Sequence, residues 1–319
     1  MPKVSIVVPV FGVEKFIERC ARSLFEQTFA DLEYIFVDDC TRDRSIELLL
    51  EILEAYPDRK GQVRIIHHDS NKGLPSARQT GMKAAQGKYI LNCDSDDWIH
   101  VSMIQLLHDC AEKEVADIVI GDFAISDGTH QYISRGCLSK NKKQLMKDIC
   151  SMRVSWSLCN KLFKRDLLYE DITFPVDNMG EDMALTLQLA ITARHISYEP
   201  KALYHYYNNP DSITKGNTEQ SVLSKFRQNK NNAEIVLSAF KKRSIDIVYP
   251  DELMYIKWNT KKQLWRLVHK KEYFTLWKDT YSEINSKLLL NPLISTTDKL
   301  RYVLTYARIY PRRRDMIHT

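Results

Sequence analysis

The chain has 319 residues, of which 44% are hydrophobic and 27% charged, with 46 Lys and Arg against 41 Asp and Glu. These proportions exclude a disordered chain, a collagen and a coiled-coil rod, and the length suits one enlarged domain or two domains. No stretch reaches the about 20 consecutive apolar residues of a membrane-spanning helix, and no signal peptide is expected. Seven cysteines without a Cys-x-x-Cys pair indicate a reducing, cytoplasmic compartment.

The first 125 residues alternate between predicted strands and helices. Val4 to Val10 is apolar and β-branched, which is typical of a strand buried on both faces of a parallel sheet. Pro57 is expected to stop one of the helices, and Gly87 to be the C-terminal glycine of another. The pattern predicts a doubly wound α/β layer. The predicted strands are 4–10, 32–37, 63–67, 88–93 and 117–123, and the predicted helices are 13–28, 45–56, 75–86 and 101–112.

Polar residues follow the predicted strands at the points where these strands end. Pro9 ends the first strand, Asp38 and Asp39 end the second, and the acidic segment 94–97 follows the fourth. Because the carboxyl ends of parallel strands meet at one edge of a sheet, where ligands bind, we expect these residues to form one site.

The composition of these loops narrows the chemistry of the site. Gly-x-Gly-x-x-Gly and the phosphate loop are both absent, which disfavours a nicotinamide enzyme and a P-loop NTPase. Asp94, Asp96 and Asp97 would repel one another, and a divalent cation would relieve that repulsion. Oxygen ligands of this kind suit Mg²⁺ or Mn²⁺. The alternative is an acidic turn that caps the next helix.

Several different short motifs follow one another along the chain between residues 3 and 215. They are Val4–Pro9, Phe36–Asp39, Asn71–Gly73 with Ala77, Arg78 and Gly81, Leu91–Asp97, Cys159–Phe163, Gly180–Asp182, and Leu203–Tyr207 with Ser212–Thr214. In this order and spacing they resemble glycosyltransferase family 2, whose members are inverting enzymes with a nucleotide-sugar-binding sheet of the GT-A type.

The resemblance implies a domain organisation. Residues 1–215 would form a GT-A-type, doubly wound mixed sheet flanked by helices. Within them, about 1–125 would bind the nucleotide sugar and about 126–215 the acceptor. Residues 216–319 would form a mostly helical, basic C-terminal region.

The resemblance also implies roles for individual side chains. Asp182 would be the general base, with Glu181 beside it as a second catalytic residue. Mn²⁺ or Mg²⁺ would be held by Asp94 and by Asp96 or Asp97. Apart from the resemblance, the imidazole of His205 is a candidate for an additional metal ligand, because imidazole commonly binds metals. The residues that would bind the nucleotide sugar are Pro9, Val10, Asp38, Asp39, Asn71, Gly73, Arg78, Asp94 and Lys161.

These roles compete with structural alternatives. Acidic residues at 181–182 also suit the start of a helix, Arg78 and Lys161 could lie on the surface, and His205 could pack in an aromatic strand. Tyr207 and Asp211 depart from the family's usual arginine and glycine, which leaves the diphosphate contacts of that loop open.

The end of the chain has a different character from the beginning. From residue 220 onward, 20 Lys and Arg stand against 9 Asp and Glu. Apolar residues at helical spacing alternate with lysine, tryptophan and tyrosine, which predicts basic amphipathic helices. These helices could pack as a bundle, or the last of them could contact a membrane surface. No nucleic-acid recognition motif is present, so no nucleic acid is expected. The predicted helices are 220–242, 253–270, 274–289 and 297–310.

Together these observations predict a metal-dependent, inverting glycosyltransferase. It would move a hexosyl or N-acetylhexosaminyl group from a nucleotide-diphosphate donor, a UDP-sugar, to a glycan or lipid-linked glycan in polysaccharide biosynthesis. It would be cytoplasmic, with peripheral contact to the inner face of the cell membrane as an option. The alternatives are a nucleotidyltransferase-like enzyme and a non-catalytic, membrane-associated scaffold.

Overall fold

The computed structural model describes residues 1–126, 130–135, 139, 141–208 and 218–309. The chain divides into two compact units, Met1–Ser139 with Ser155–Ser212, and Lys140–Val154 with Ile213–Thr319. The second unit therefore takes one segment from the middle of the chain. Asp211, the motif Ser212–Thr214 and residue 310 of the last predicted helix lie outside the described residues.

The first unit contains a sheet and the helices that flank it. Its strands are β1 Val4–Val10, β2 Leu32–Asp38, β3 Val63–His67, β4 Tyr89–Asn92, β5 Trp98–Ile99, β6 Ile118–Ser126, β7 Gln131–Ser134, β8 Lys161–Lys164 and β9 Ile196–Tyr207. Its helices are α1 Ile17–Phe25, α2 Ser45–Leu53, α3 Leu74–Ala84, α4 Met103–Lys113 and α6 Glu181–Thr192.

The strands of the described residues form one mixed sheet in the order β3-β2-β1-β4-β8-β6-β9-β5, with β7 beside β6. β3, β2, β1 and β4 are parallel neighbours. β8 runs antiparallel to both β4 and β6, and β9 runs parallel to β6 with register shifts around Asp122. The parallel half brings the ends of β1, β2 and β4 to one edge, as the sequence predicts.

All seven residues of β1 are buried, which explains why its sequence is continuously apolar rather than alternating. The predicted strands 4–10 and 63–67 coincide with β1 and β3. The first predicted helix is shorter than expected, because the loop before it is held by side chains that follow β2. The amide of Gly12 donates to Thr41 Oγ1 at 2.9 Å, and the amide of Val13 donates to Ser45 Oγ at 3.0 Å.

Gly87 does not have the predicted role of a left-handed C-terminal glycine. The helix before it ends with Ala85 as its C-cap residue, and the φ of Gly87 is not positive. Gly87 instead lies against β1, where its amide donates to Ser5 Oγ at 2.8 Å. A Cβ atom at this position would come within 2.7 Å of the Ser5 backbone nitrogen. The glycine is needed because two backbone segments approach each other closely.

The second unit is helical in its described residues. Its helices are α5 Lys142–Cys150, α7 Glu219–Lys242, α8 Pro250–Lys261, α9 Lys271–Asp279 and α10 Thr296–Tyr306. The predicted helix 253–270 ends early, at Lys261, and continues as a 3₁₀ turn over Lys262–Arg266. The predicted helix 274–289 is likewise replaced by α9 and two 3₁₀ turns, Ser282–Ile284 and Leu288–Leu290.

The tryptophans of the second unit are core residues. Trp258 and Trp277 are fully buried, and the Trp258 ring packs edge-on against Trp265 with ring centroids 4.9 Å apart. Tyr302 of α10 packs against Trp258 and Trp277. These helices therefore pack together as a bundle, and the membrane contact considered for the last of them stays a prediction. None of the helices in the described part of the chain combines the length and apolarity that crossing a bilayer requires.

The close approach at Gly87 can be tested by adding one methyl group. Gly87→Ala should destabilise the protein by about 1–3 kcal/mol, because the new Cβ atom overlaps backbone atoms that cannot move aside. Urea unfolding measures this loss. Gly61→Ala is the control, since a Cβ atom there meets nothing within 4 Å. Equal stability of the two variants would contradict the packing described for Gly87.

Candidate active site

The carboxylate of Asp39, just after β2, organises the loop that leads into α3. Its Oδ1 accepts the amide of Lys72 and its Oδ2 accepts the amide of Gly73, both at 2.8 Å. His68 Nδ1 lies 2.7 Å from Oδ1. Gly73 has a φ of 87°, a conformation that favours glycine. The structure thus joins two motifs that are more than thirty residues apart, and exposed Asn71 lies in the same loop.

The neighbouring strand ends are also tied together. Asp38 accepts the amide of Thr41 at 2.8 Å and lies 2.8 Å from His67 Nδ1. Val10 O accepts the amide of Asp39 at 3.0 Å, and Pro9 O accepts the Ser95 hydroxyl at 2.7 Å. The ends of β1, β2 and β4 therefore form one connected edge.

Arg78 is the central charge of this edge. It projects from α3, is only 1% exposed, and donates from Nη2 to Asp94 Oδ1 and from Nη1 to Asp182 Oδ1, both at 2.6 Å. Nη1 also donates to Glu181. The alternative of a surface arginine is wrong. A single guanidinium brings the end of β4 and the start of α6 together, although they are almost ninety residues apart.

The three carboxyl groups around Arg78 differ in their surroundings. Burial lowers the pKa of the Arg78 guanidinium, but the charges of Asp94, Glu181 and Asp182 outweigh it and raise the pKa above its usual value. Burial raises the pKa of Glu181 well above its usual range, although the charge of Arg78 opposes this effect. The side chain of Asp182 is 36% exposed. Of the two carboxyls on α6, Asp182 is the one that an acceptor can reach.

Asp97 faces the interior. Its carboxylate accepts the Tyr204 hydroxyl at 2.5 Å and the amide of Tyr207 at 2.7 Å, both from β9. Burial raises the pKa of Asp97 well above its usual range, and the charges of Asp94 and Asp96 add to this effect. These bonds anchor the acidic segment to β9, so the geometry disfavours the predicted metal role of Asp97.

Asp94 and Asp96 are the partly exposed carboxylates of the acidic segment. No group of three or more His, Cys, Asp or Glu side chains among the described residues is arranged to hold a metal ion. A Mg²⁺-type site needs only one or two carboxylates, because substrate phosphates supply further ligands. The oxygen donors of Asp94 and Asp96 therefore fit Mn²⁺ or Mg²⁺ bound together with a diphosphate.

His205 lies on β9 opposite Trp98. The two rings are stacked 5.1 Å apart at an interplanar angle of 4°, and burial lowers the pKa of the imidazole. This is the packing that the aromatic-strand alternative describes. The metal-ligand role of His205 stays a prediction.

Lys161 is buried instead of exposed. Its ammonium donates to Ser155 O at 2.7 Å, Ser157 O at 2.5 Å and Asn160 Oδ1 at 2.9 Å. Burial lowers the pKa of Lys161 to about 7. The surface alternative is wrong, and contact with a donor would require one of these three bonds to break. The geometry indicates that Lys161 holds the segment before β8.

Three residues that touch the acidic segment have no role in the sequence predictions. Arg19 donates from Nη2 to Asp96 O at 2.8 Å, and its guanidinium lies 3.9 Å from the centroid of the Trp98 ring. The Cys159 thiol donates to Asp94 Oδ2 at 3.2 Å. The Tyr204 hydroxyl accepts the amide of Asp94 at 3.2 Å. Cys159 and Tyr204 lie inside recognised motifs. Arg19 resembles any charged residue on an amphipathic helix, so the sequence carries no signal for its role.

Several known proteins are similar to this chain in sequence. A model of glycosyl transferase family 2 matches residues 5–173. The chain is 36% identical over 224 residues to the uncharacterized glycosyltransferase EpsJ of Bacillus subtilis (strain 168), covering 67% of this chain and 64% of EpsJ. It is 32% identical over 210 residues to the poly(ribitol-phosphate) beta-glucosyltransferase of Bacillus spizizenii, covering 64% of this chain and 32% of that protein. The matches therefore span less than two thirds of these relatives.

The fold also matches solved structures. S. aureus TarS 1-349 in complex with UDP-GlcNAc has a TM-score of 0.62 at 18% identity, covering 98% of this chain and 93% of that chain. The mannosyltransferase PcManGT from Pyrobaculum calidifontis, in complex with GDP-Man and Mn²⁺, has a TM-score of 0.52 at 14% identity, covering 97% and 85%. The predicted GT-A-type mixed sheet with a helical C-terminal region is confirmed. The family model and the similar sequences together show that this chain belongs to glycosyltransferase family 2.

Proposed function

We propose that the protein transfers a sugar from a UDP-sugar to a glycan or lipid-linked glycan with inversion at the anomeric carbon. The observation that carries this proposal is the bridge through Arg78. It holds Asp94 of the strand edge and Asp182 of α6 on one guanidinium. A transferase needs its donor site and its general base on either side of one reacting carbon, and this bridge links the two.

The names of similar proteins support the substrate class. A beta-glucosyltransferase of poly(ribitol-phosphate) and the UDP-GlcNAc complex of TarS favour hexosyl or N-acetylhexosaminyl transfer in cell-surface polysaccharide synthesis. On the donor side, we assign the nucleoside to the connected edge of β1 and β2 with the loop before α3. The residues are Pro9, Val10, Asp38, Asp39, Asn71 and Gly73.

The leaving group of the donor is a nucleoside diphosphate, on which negative charge grows during transfer. Asp94 and Asp96 would hold Mn²⁺ or Mg²⁺ against this diphosphate. The cation, when bound, supplies Lewis-acid stabilisation of the developing charge. Arg78 balances the carboxylates of Asp94 and Asp182 when the donor is absent. The Cys159 thiol and the Tyr204 hydroxyl, which both form hydrogen bonds with Asp94, keep this residue in position.

Asp182 is assigned as the general base. Its carboxylate would accept the proton of the acceptor hydroxyl as that oxygen attacks the anomeric carbon opposite the diphosphate. Buried Glu181 shares the same guanidinium with Asp182. We assign Glu181 the task of orienting Arg78 and Asp182.

The proposal includes a location. The reducing compartment indicated by the cysteines and the basic C-terminal helices favour the cytoplasmic face of the cell membrane, with peripheral contact through the second unit. A lipid-linked acceptor would be available there.

Calorimetric titration with UDP tests the donor and the metal together. We expect binding in the presence of Mn²⁺ and its loss with EDTA. Asp96→Ala should weaken binding by about tenfold or more, since one of two metal-binding carboxylates is removed. Asp109→Ala on α4 is the control, because that carboxylate is exposed and accepts a hydrogen bond from Gln105 of its own helix. Equal affinity of Asp96→Ala and the unmodified protein would remove the metal assignment. If UDP, GDP and CDP all fail to bind, the scaffold alternative is favoured. If the protein releases pyrophosphate from a nucleoside triphosphate, the nucleotidyltransferase alternative is favoured.

The base is tested with Asp182→Asn. This variant keeps the shape of the side chain and should retain UDP affinity, but it loses the proton acceptor. Release of UDP from UDP-GlcNAc or UDP-glucose should fall by about 10²-fold or more, with water as the acceptor. Retained turnover would exclude Asp182 as the base. A parallel loss of UDP affinity would mean that it positions the donor instead.

Arg19 is tested through the acidic segment that it holds. Arg19→Met should weaken metal-dependent UDP binding by about tenfold, because a charged hydrogen bond to the Asp96 carbonyl is lost. Arg19→Lys should recover part of this loss, since the lysine can still donate to that carbonyl. Arg22→Met, which removes an exposed guanidinium paired with Glu18 on the same helix, should have no effect. Identical behaviour of Arg19→Met and Arg22→Met would refute this role.

A further inference from the structure

One face of the second unit exposes apolar side chains from α10 and from the 3₁₀ turn Leu288–Leu290. Leu290 is 82% exposed and Leu300 is 59% exposed. Leu289, Val303 and Tyr306 line a common groove of about 640 Å³, so the turn and the helix share one surface. The α10 face is defined by Leu289, Leu290, Leu300, Val303 and Tyr306.

The exposure of this face does not result from a poorly packed helix. Toward the interior of the unit, α10 buries Tyr302 and Thr305, and the Tyr302 hydroxyl donates to Asn285 O at 3.0 Å. The helix is therefore apolar on two sides, although its own fold needs only one. Single exposed leucines are common, but apolar side chains that line a shared surface groove are typical of an interaction site.

The stretch of sequence that contains the α10 face has more basic than acidic residues. Residues 278–309 contain five Lys and Arg and three Asp and Glu. Two of these acids are paired within the unit. Glu283 lies 2.6 Å from Lys257 Nζ, and Asp298 lies 3.8 Å from Lys262 Nζ and accepts the indole N–H of Trp258. The cations of this stretch are Lys278, Lys287, Lys299, Arg301 and Arg308, and the sequence continues with Arg312, Arg313 and Arg314.

Tyr306 connects the apolar and the charged parts of the surface. Its ring is 46% exposed, and Lys278 Nζ lies 5.7 Å from its centroid. An aromatic ring with a polar end, flanked by lysine, is typical of side chains at the boundary between lipid headgroups and acyl chains.

We propose that the α10 face docks on the surface of an anionic lipid bilayer. The apolar side chains would enter the headgroup–acyl boundary, while the surrounding lysines and arginines contact the headgroup phosphates. The proposal rests on the membrane location given for the proposed function and names the surface responsible. Docking itself requires no sugar transfer.

The charge near the α10 face favours an anionic bilayer over a second copy of the chain as the partner of this face. A two-fold contact through the α10 face would bring the Lys278 ammonium beside Tyr306 toward the same group of the second copy, which opposes association. An anionic bilayer supplies the opposite charge. It also accepts apolar side chains without needing a complementary shape.

Co-sedimentation of the full chain with lipid vesicles tests the proposal. We expect binding to vesicles of phosphatidylcholine mixed with phosphatidylglycerol, weaker binding to phosphatidylcholine alone, and release at high salt. The double variant Leu290→Asp, Val303→Asp should bind the anionic vesicles about tenfold or more weakly, because both changes place negative charge in the contact. Leu50→Asp, on α2 of the first unit and 48% exposed in the unmodified protein, should bind as the unmodified protein does.

Three outcomes would overturn the proposal: no binding to anionic vesicles, equal binding of the double variant and the unmodified protein, or a concentration-dependent dimer that the double variant dissolves. UDP titration of the same samples distinguishes this failure from failure of the proposed function. Vesicle binding lost with UDP binding intact removes only the docking surface. Vesicle binding intact without UDP binding removes only the reaction.

Discussion

The structure of the site depends on one buried charge. Arg78 is removed from water, so its guanidinium must be balanced by carboxylates, and each of the three it contacts lies at an element end. Removing one partner of such a buried ion pair typically lowers the free energy of unfolding by about 3–5 kcal/mol, because the remaining charge is left uncompensated. The end of β4, the first turn of α6 and the face of α3 are therefore held together by electrostatics as well as by packing. The position of Asp182 relative to Asp94 follows from this balance.

The edge of the sheet could be predicted from the sequence because its physical rule is simple. Uninterrupted apolar runs such as Val4–Val10 indicate parallel buried strands, and parallel strands end on the same side. The apolar pattern alone therefore places Asp39 and Asp94 at the same edge of the sheet. The burial of Arg78 could not be derived in the same way. Its helix is mildly amphipathic, and the interior arginine is stable because Asp94 and the distant carboxylates of α6 surround it.

Other differences between the sequence predictions and the structure also result from contacts between residues that are far apart in the chain. Asp96 and Asp97 are neighbours in sequence, and no local pattern says which of them turns inward. That choice is made by Tyr204 and the amide of Tyr207, which come from β9 more than a hundred residues later. In the second unit, helical periodicity continues past Lys261, but α8 ends there. The buried Lys261 ammonium donates to the carbonyls of Lys278 and Thr280, a long-range constraint that periodicity cannot reveal.

The origin of α5 has a consequence for anyone who shortens this chain. The helix belongs by its contacts to the second unit and packs on α8, yet it is encoded between two parts of the first. Ending the chain near residue 215 would keep α5 while deleting its packing partner. The truncated chain would then expose the side chains of Leu145, Met146 and Ile149 as an apolar, aggregation-prone surface. During synthesis the same helix emerges from the ribosome about a hundred residues before α8. Its apolar side chains therefore lack their packing partner until α8 has been synthesised. A catalytic fragment that stays in solution therefore calls for a short linker in place of residues 140–154.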